Sequence, residues 1–199
     1  MESLEELLQE ELKDIYNAEK QLTKALPKMA KKAGAAELKQ AFAEHLAQTE
    51  RQIERLEEVF EQLGMPARGK KCEAMENLIA EGEEMVAEID DDDTRDAALI
   101  ASAQKVEHYE IASYGTARTW ANLLGKSEVA ALLEETLEEE KQTDQNLTSI
   151  AESFVNAEAA DSEEDEEEAP ASPKSRGMSV QQARSAAAEK PATRGRSRR

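Results

Sequence analysis

Residues that could bind a metal ion interrupt four apolar helical stripes of this chain, each near the middle of its stripe. A buried layer of carboxylates with one imidazole is costly unless something compensates its charge. Because carboxylate and imidazole groups suit iron, manganese or zinc, a metal ion is the compensation that the residue types favour. The interrupting residues are, in chain order, Glu19, His45, Thr49, Glu107, Glu110, Glu139, Glu140 and Thr143.

Four long helices are predicted to position these residues, because apolar side chains recur at alternating steps of three and four. Their predicted spans are 4–33, 36–63, 94–124 and 127–156. Short connections make helices one and two, and helices three and four, antiparallel hairpins. The connection 64–93 is long enough to cross the bundle and carries a shorter amphipathic helix over 73–89. The prediction is an all-α, ferritin-like (rubrerythrin-like) four-helix bundle, in which the helix midpoints lie at one level.

Residues with turn and capping preferences support these boundaries. Gly34, Gly64 and Gly125 are expected to end three of the helices, and Ser127 is expected to cap the last one. The run Asp90–Thr94 is expected to end the short helix and cap the next. This run lacks the spacing and the glycine of an EF-hand loop, so a calcium site is not predicted there.

Each interrupting residue has a simpler explanation when it is taken alone. Glu19 could reach water at the edge of its stripe, and His45 could be a hydrogen-bonded core histidine. Thr49 and Thr143 could bond the carbonyl group four residues back. Some of the glutamates in the run 138–140 must face solvent. These readings together leave a water-filled or mutually hydrogen-bonded polar core as the alternative to a metal site.

The coincidence of the interruptions favours the metal site over that alternative. Glu19 and Glu110 hold equivalent midpoints in the first and third long helices, and Glu107 and Glu110 lie three apart on one helical face. Glu139 and Glu140 both remain candidates on the fourth helix. Thr49, Thr143 and His108 are candidates to contact the metal ligands without binding the ion themselves. His108 lies off the apolar stripe, so the other interpretation is that it lies on the surface.

The composition narrows the class of protein. The formal net charge is −19, aromatic residues make up 4%, and Cys72 is the single cysteine, so an intrachain disulfide is excluded. An acidic amphipathic N-terminus is unlike a signal or transit peptide, and no apolar run reaches the length of a membrane span. The expectation is a cytoplasmic protein without a membrane partner.

The chain is expected to divide into a bundle over 1–157 and a disordered tail over 158–199. Residues 158–168 contain eight acidic residues and no basic one, whereas residues 169–199 contain eight Lys or Arg and one Glu. Large apolar side chains are almost absent from the tail, which is typical of disorder. Its basic end could contact nucleic acid weakly and without sequence preference, through phosphates alone.

Four segments of the chain are similar to the YciE/YciF family of ferritin-like stress proteins. They are DIYNAEKQLTKALPKMAKKA, FAEHLAQTERQIERLEEVF, AALIASAQKVEHYEIASYGT and LLEETLEEEKQTDQNLT. The resemblance covers about residues 4–156 and excludes the tail. It implies a rubrerythrin-like bundle with an extra helix, commonly a homodimer, linked to stress responses and often labelled metal-binding.

The ligand pattern departs from that of di-iron bundles, which supply a Glu from each of two helices and Glu-x-x-His from each of the other two. Phe42 stands three residues before His45 in place of Glu, and Thr143 stands three residues after Glu140 in place of His. One ion, or a weak pair completed by water, therefore fits better than a two-metal oxidase centre. The predicted function is a stress protein with iron, manganese or zinc in the bundle centre. The alternatives are a metal-free structural or interaction protein, and a manganese-catalase-like or peroxidase-like redox enzyme.

Overall fold

The structure is a computed structural model that describes residues 2–161, and these residues are almost entirely helical. Within this range no helix has the length and the apolar character that crossing a bilayer would require. The five α-helices are α1 (Leu4–Lys32), α2 (Ala36–Gln62), α3 (Glu73–Ala87), α4 (Asp92–Leu123) and α5 (Ser127–Ile150). The four long helices match the predicted spans to within two residues at every end but the last, and α3 is the short helix expected in the crossover.

The four long helices form a ferritin-like bundle made of two hairpins. Helix α1 packs against α2 and α4, while α5 packs against α4 and α2, so the order around the bundle is α1, α2, α5, α4. The starts of α2 and α4 share one apolar cluster, which places these diagonal helices parallel. The connection between them must therefore cross the length of the bundle, and α3 lies within it, against α4 and α1.

Polar groups on α1 hold the crossover in place. The backbone N–H of Lys70 donates to the carbonyl oxygen of Lys13 at 3.0 Å. The N–H of Cys72 donates to Asn17 Oδ1 at 2.8 Å, and Gln21 Nε2 donates to the Cys72 carbonyl oxygen at 3.0 Å. Because these bonds satisfy backbone groups of a segment without regular structure, they fix the position from which α3 begins.

Local sequence signals account for several helix ends. The side chain of Asp91 accepts a hydrogen bond from the Thr94 N–H at 2.7 Å, which confirms the predicted cap of α4. Gly64 and Gly125 have φ values of 66° and 71°, as expected for glycines after α2 and α4. Ser127 was expected to cap α5, but Lys126 occupies the cap position and no side chain caps this helix.

Gly34 also differs from its predicted role as a left-handed helix cap. The backbone N–H groups of Gly34 and Ala35 donate to the two carboxylate oxygens of Asp96 at 2.7 and 2.6 Å. Asp96 is buried on α4. A Cβ at position 34 would lie 3.3 Å from Asp96 Oδ2, so glycine permits this close approach. The α1–α2 turn is therefore held by α4 rather than by its own dihedral angles.

The apolar core consists of two clusters, one toward each end of the bundle. One contains the end of α1, the start of α2, α3, the start of α4 and the end of α5, with Leu26, Phe42, Met75, Leu99 and Leu147 among its residues. The other contains the opposite ends, including Leu12, Phe60, Tyr114, Ala121 and Leu133. The buried polar residues from the middles of the long helices lie in sequence between these two sets, as expected for a polar layer across the bundle.

A short π-helical segment, Ala151–Val155, follows α5, and residues 156–161 are again helical. The helical conformation thus includes residues 158–161, which the sequence analysis assigned to a disordered tail. Apolar packing explains part of this extension, because Ala151 and Val155 belong to the same core cluster as Leu147. The remaining positions of the predicted tail, 162–199, lie outside the described residues.

Candidate metal centre

The polar layer consists of side chains from all four long helices, and all of its acidic and imidazole groups are buried. Helix α1 supplies Glu19, α2 supplies His45, α4 supplies Glu107 and Glu110, and α5 supplies Glu140. Each has an exposed fraction between 0% and 5%. Of the predicted ligands, only Glu139 is not in this buried set.

Four of these residues are close enough to share one ion. One ligand atom from each side chain can be chosen so that all four atoms lie within 4.8 Å of one another. His45 Nε2 lies 3.2 Å from Glu107 Oε1. This group contains three carboxylates and one imidazole, a ligand set that suits iron, manganese or zinc. Its members are His45, Glu107, Glu110 and Glu140.

Several polar atoms of this group have no hydrogen-bond partner among the described residues. The buried atoms without a partner are both carboxylate oxygens of Glu110, one oxygen each of Glu107 and Glu140, and both ring nitrogens of His45. His45 Nε2 and Glu107 Oε1 therefore lie close together without meeting hydrogen-bond geometry. Because buried polar atoms are nearly always paired, such a concentration is unusual and marks this group as a candidate site.

Glu19 faces a different partner from the other carboxylates. One of its oxygens accepts a short hydrogen bond from the Tyr114 hydroxyl, and the other has no partner among the described residues. Tyr114 is fully buried on α4. Burial and the charge of Glu19 raise the pKa of Tyr114 well above its ordinary value, so this hydroxyl remains a donor. Glu19 thus lies beside the four-residue group with one oxygen free to accept a further bond.

Glu139 lies on the outer side of the layer and is neutralised by an arginine. Arg55 on α2 donates to its two oxygens at 2.9 and 3.2 Å, and Gln52 Nε2 donates to Oε2 at 3.1 Å. Burial would raise the pKa of Glu139, but the hydrogen bonds from Arg55 and Gln52 lower it below its ordinary range. Glu140, not Glu139, therefore joins the group, and Gln52 links the two by donating to Glu140 Oε1 at 2.5 Å.

The electrostatics of the layer disfavour a full set of charged carboxylates. Burial is the main cause that raises the pKa of Glu19 to about 7, and it raises the pKa values of Glu110 and Glu140 well above their ordinary range. Neighbouring carboxylates add to each increase. Burial alone would lower the pKa of His45, but the charges of Glu107 and Glu19 outweigh it and raise that pKa. Without a cation, the layer therefore binds protons.

The residues considered as contacts to the ligands have local roles. Thr49 is buried and donates to the His45 carbonyl oxygen at 3.0 Å. Thr143 is half-buried and donates to the Glu139 carbonyl oxygen at 3.2 Å. The side chain of His108 is 71% exposed and lies 3.5 Å from Asp144, which agrees with the surface interpretation. Thr49 thus supports the backbone that carries a ligand, whereas His108 lies away from the group.

Two buried residues were not identified as site residues from the sequence. Gln52 was assigned to the apolar stripe of its helix, where an amide is already an anomaly. Tyr114 follows Glu110 by four positions, so the spacing that put Glu107 and Glu110 on one face also includes this hydroxyl. Because its hydroxyl contacts a residue 95 positions earlier in the chain, helical spacing alone did not identify the partner.

The donor set fits one ion better than two. The four-residue group supplies at most one side chain from each of α2 and α5 and two from α4. Glu139 is held by Arg55, and Glu19 is bonded by Tyr114, so neither is an unengaged bridging carboxylate. No second histidine is near, since the side chain of His108 lies largely in solvent. Di-iron bundles instead use four carboxylates and two histidines.

Comparison with known proteins identifies relatives of the same size as the described domain. Protein YciF of Escherichia coli strain K12 is 50% identical over 160 residues, which are 80% of this chain and 96% of that protein. The crystal structure of the E. coli stress protein YciF matches with a TM-score of 0.75 and 51% identity, over 78% of this chain and 99% of that one. The resemblance to the YciE/YciF family is therefore confirmed.

Two further solved structures share the fold. YcfI from Rhodopseudomonas palustris, suggested to be a structural protein, matches at 46% identity with a TM-score of 0.74, over 74% of this chain and 94% of that one. A Xanthomonas campestris protein matches at 24% identity with a TM-score of 0.63, over 81% of this chain and 99% of that one, and shows the fold alone. The family described as a domain of unknown function, DUF892, matches residues 3–160. The chain belongs to the DUF892 family and is a YciF-like protein.

Proposed function

We propose that this protein binds one ion of iron, manganese or zinc in the centre of its bundle and serves in a stress response. The observation that carries the proposal is the set of buried carboxylate oxygens and imidazole nitrogens without hydrogen-bond partners among the described residues. Most of them belong to His45, Glu107, Glu110 and Glu140, which come from three helices, and one ligand atom from each of these four residues lies within 4.8 Å of the others. The stress response is inferred from the similarity to YciF.

A cation would resolve two costs at once. It would accept lone pairs from oxygens that no protein donor reaches, and it would offset the repulsion between Glu107, Glu110 and Glu140. His45 would contribute one ring nitrogen, and the second would remain for a water or another acceptor. When bound, such an ion supplies Lewis-acid chemistry. The protein residues would hold it, exclude bulk water and, through Tyr114, keep Glu19 oriented beside it.

A metal-free structural role is the competing proposal, and hydrogen bonds within the layer favour it. Gln52, Arg55 and Tyr114 each bond a carboxylate of the layer from a neighbouring helix. Protons bound by Glu110 and Glu140 would provide further donors. Such a network would fix the register of the helices without any ion.

Metal content separates the two proposals. Chelator-treated protein would be incubated with Fe(II), Mn(II) or Zn(II), freed of excess ion, and analysed by mass spectrometry. We expect about one equivalent of metal per chain and an increase in thermal stability. Glu110→Gln and Glu140→Gln should weaken binding strongly. Glu138→Gln is the matched control on α5, because the Glu138 side chain is exposed and pairs with Lys141 rather than with the buried group.

The metal proposal would be abandoned if the wild-type protein took up none of these ions at micromolar concentration and its melting temperature did not change. The metal-free network would then be the remaining explanation of the layer. If Glu138→Gln lost as much metal as Glu140→Gln, binding would be a property of the acidic surface. A defined stoichiometry that depends on the buried glutamates alone is the supporting result.

A further inference from the structure

A polar pocket leads from the surface to the buried group between α2 and α5. Its volume is about 80 Å³, which is large enough to admit water. The polar residues that line it are Glu44, His45, Gln48, Glu107, Thr143 and Asn146. Two members of the candidate metal group, His45 and Glu107, thus form part of its wall.

Exposure decreases along this pocket. Glu44 and Asn146 are exposed, Gln48 and Thr143 are half-buried, and His45 has an exposed fraction of 5%. The residue types of the wall also change along the pocket. A carboxylate and amides lie nearer to solvent, and His45 and Glu107 of the candidate metal group lie inside. Both ring nitrogens of His45 lack a hydrogen-bond partner among the described residues. The pocket therefore ends at buried polar atoms that no described residue satisfies.

A second pocket also reaches His45 and Glu107, but its wall is apolar. It lies between α1, α3 and α4 and has a volume of about 50 Å³. Its lining includes the apolar side chains of Leu22, Leu26, Met29, Ile79, Leu99 and Val106. Lys28, Lys32, Ser102 and Glu83 also line it, but the mostly apolar wall offers few groups that could replace the water shell of a cation, and the two lysines repel it.

We infer that a divalent cation reaches the buried group through the polar pocket between α2 and α5, and that Glu44, Gln48, Thr143 and Asn146 conduct it. This inference rests on the proposed metal-binding function. Glu44 attracts the hydrated ion, and the amide oxygens of Gln48 and Asn146 replace part of its water shell. Thr143 donates its proton to the Glu139 carbonyl, so its oxygen presents lone pairs to the pocket. None of these four residues belongs to the four-residue candidate metal group.

Stopped-flow binding of Co²⁺ to the metal-free full-length protein tests this route, because cobalt coordination is followed directly by visible absorption. Gln48→Leu and Asn146→Leu fill the pocket with an apolar side chain and leave every ligand in place. The same barrier must be crossed in both directions. These variants should therefore slow uptake and chelator-induced release by the same factor, about tenfold or more, and leave the equilibrium affinity unchanged. A ligand variant such as Glu110→Gln should instead lower the affinity.

Matched controls isolate the pocket. Gln145→Leu places the same substitution on the exposed surface of α5, beside Asn146 but outside the pocket, and should bind at the wild-type rate. Ala103→Leu fills the apolar pocket and should also leave the rate unchanged. Glu44→Gln should slow uptake at low salt, with a difference that shrinks as salt rises. Glu50→Gln removes an exposed charge from the same helix and should have the smaller effect.

The outcomes distinguish the route from the function. Wild-type uptake of cobalt with unchanged rates in Gln48→Leu and Asn146→Leu would overturn the route and leave the metal site intact. Slower uptake in Ala103→Leu alone would assign the route to the apolar pocket. No uptake by the wild-type protein would overturn the metal site and the route together. Equal slowing of uptake and release by the two pocket variants alone is the expected result.

Discussion

The free energy of unfolding of the metal-free protein should fall as the pH rises from 5 to 7.5. Most carboxyl groups have the opposite effect, because folding lowers their pKa and the protein then gains stability as the pH rises. Burial raises the pKa of Glu19 from 4.5 to about 7. Between these values the native state binds more protons than the unfolded state does, so the free energy of unfolding falls as the pH increases. Glu110 and Glu140, whose pKa values are also raised, contribute in the same direction.

The magnitude follows from the shift of Glu19. A change of about 2.5 pKa units at about 1.4 kcal/mol per unit gives a loss of about 3 kcal/mol. The raised pKa of His45 acts with the same sign, because stability from a protonated histidine is present below pH 6.5 and is lost as the pH rises through the folded value. The neighbouring carboxyl groups compete for the same protons, so their contributions do not add to that of Glu19.

Urea unfolding followed by circular dichroism, with chelator present, measures this loss at each pH. Glu19→Gln removes the ionisation while its amide oxygen can still accept from Tyr114. This variant should match the wild-type protein near pH 5 and exceed it by about 3 kcal/mol at pH 8. Glu50→Gln removes the same formal charge from an exposed position and controls for the general repulsion of an acidic surface.

The reasoning would be refuted if metal-free stability rose between pH 5 and 7.5, or if Glu19→Gln and Glu50→Gln changed the pH profile equally. Saturating metal provides an internal check. An ion binds the deprotonated ligands, so its stabilising effect should grow with pH and should flatten or reverse the slope.

Further expectations concern the fold, the assembly and the chain beyond Asp161. Asp96→Ala removes both bonds to the α1–α2 turn and should cost about 2–3 kcal/mol in urea unfolding, whereas Asp90→Ala at an exposed position should cost little. Gly82→Ala places a Cβ 3.0 Å from Ser102 Cβ and should destabilise by about 1–3 kcal/mol; Gly115→Ala meets only Leu137 at 3.9 Å and should stabilise by about 0.5–1 kcal/mol. Light scattering should return the mass of a homodimer, and a monomer or a many-subunit shell would contradict this expectation. A chain ending at Asp161 should keep the helicity, melting temperature and metal content of the full chain, because both apolar clusters and the polar layer lie within residues 2–161. The full chain should bind DNA weakly and only at low salt, and equal binding by the shortened chain would exclude a role for the basic residues after 168.

The helices, their pairing and the level of the polar layer could be predicted from the sequence. These features depend on local rules: the apolar period sets each helix, the length of a connection sets the direction of the next helix, and the middle of each stripe sets the level of its interruption. Those rules place Glu19, His45, Glu107 and Glu110 at the level of the layer, where all four are buried, and leave Glu139 and Glu140 as alternatives on the last helix. The last helix was predicted to run to 156, whereas the α-helix gives way to a π-helical segment at Ala151 and the helical conformation continues to Asp161.

Which of these buried groups face one another could not be predicted from the sequence, because it depends on the packing of the helices. Glu139 and Glu140 are adjacent in the sequence, yet about 100° of helical rotation separates them, so one meets Arg55 and the other enters the layer. Tyr114 bonds Glu19 across 95 residues, and Gln52 bonds Glu140 across 88. Such contacts depend on how each helix is rotated about its axis within the bundle. Apolar periodicity predicts which broad face of a helix points to the core, but that face is too wide to say which side chains meet. The packing of complete side chains sets the rotation closely enough to bring donors and acceptors within hydrogen-bond distance.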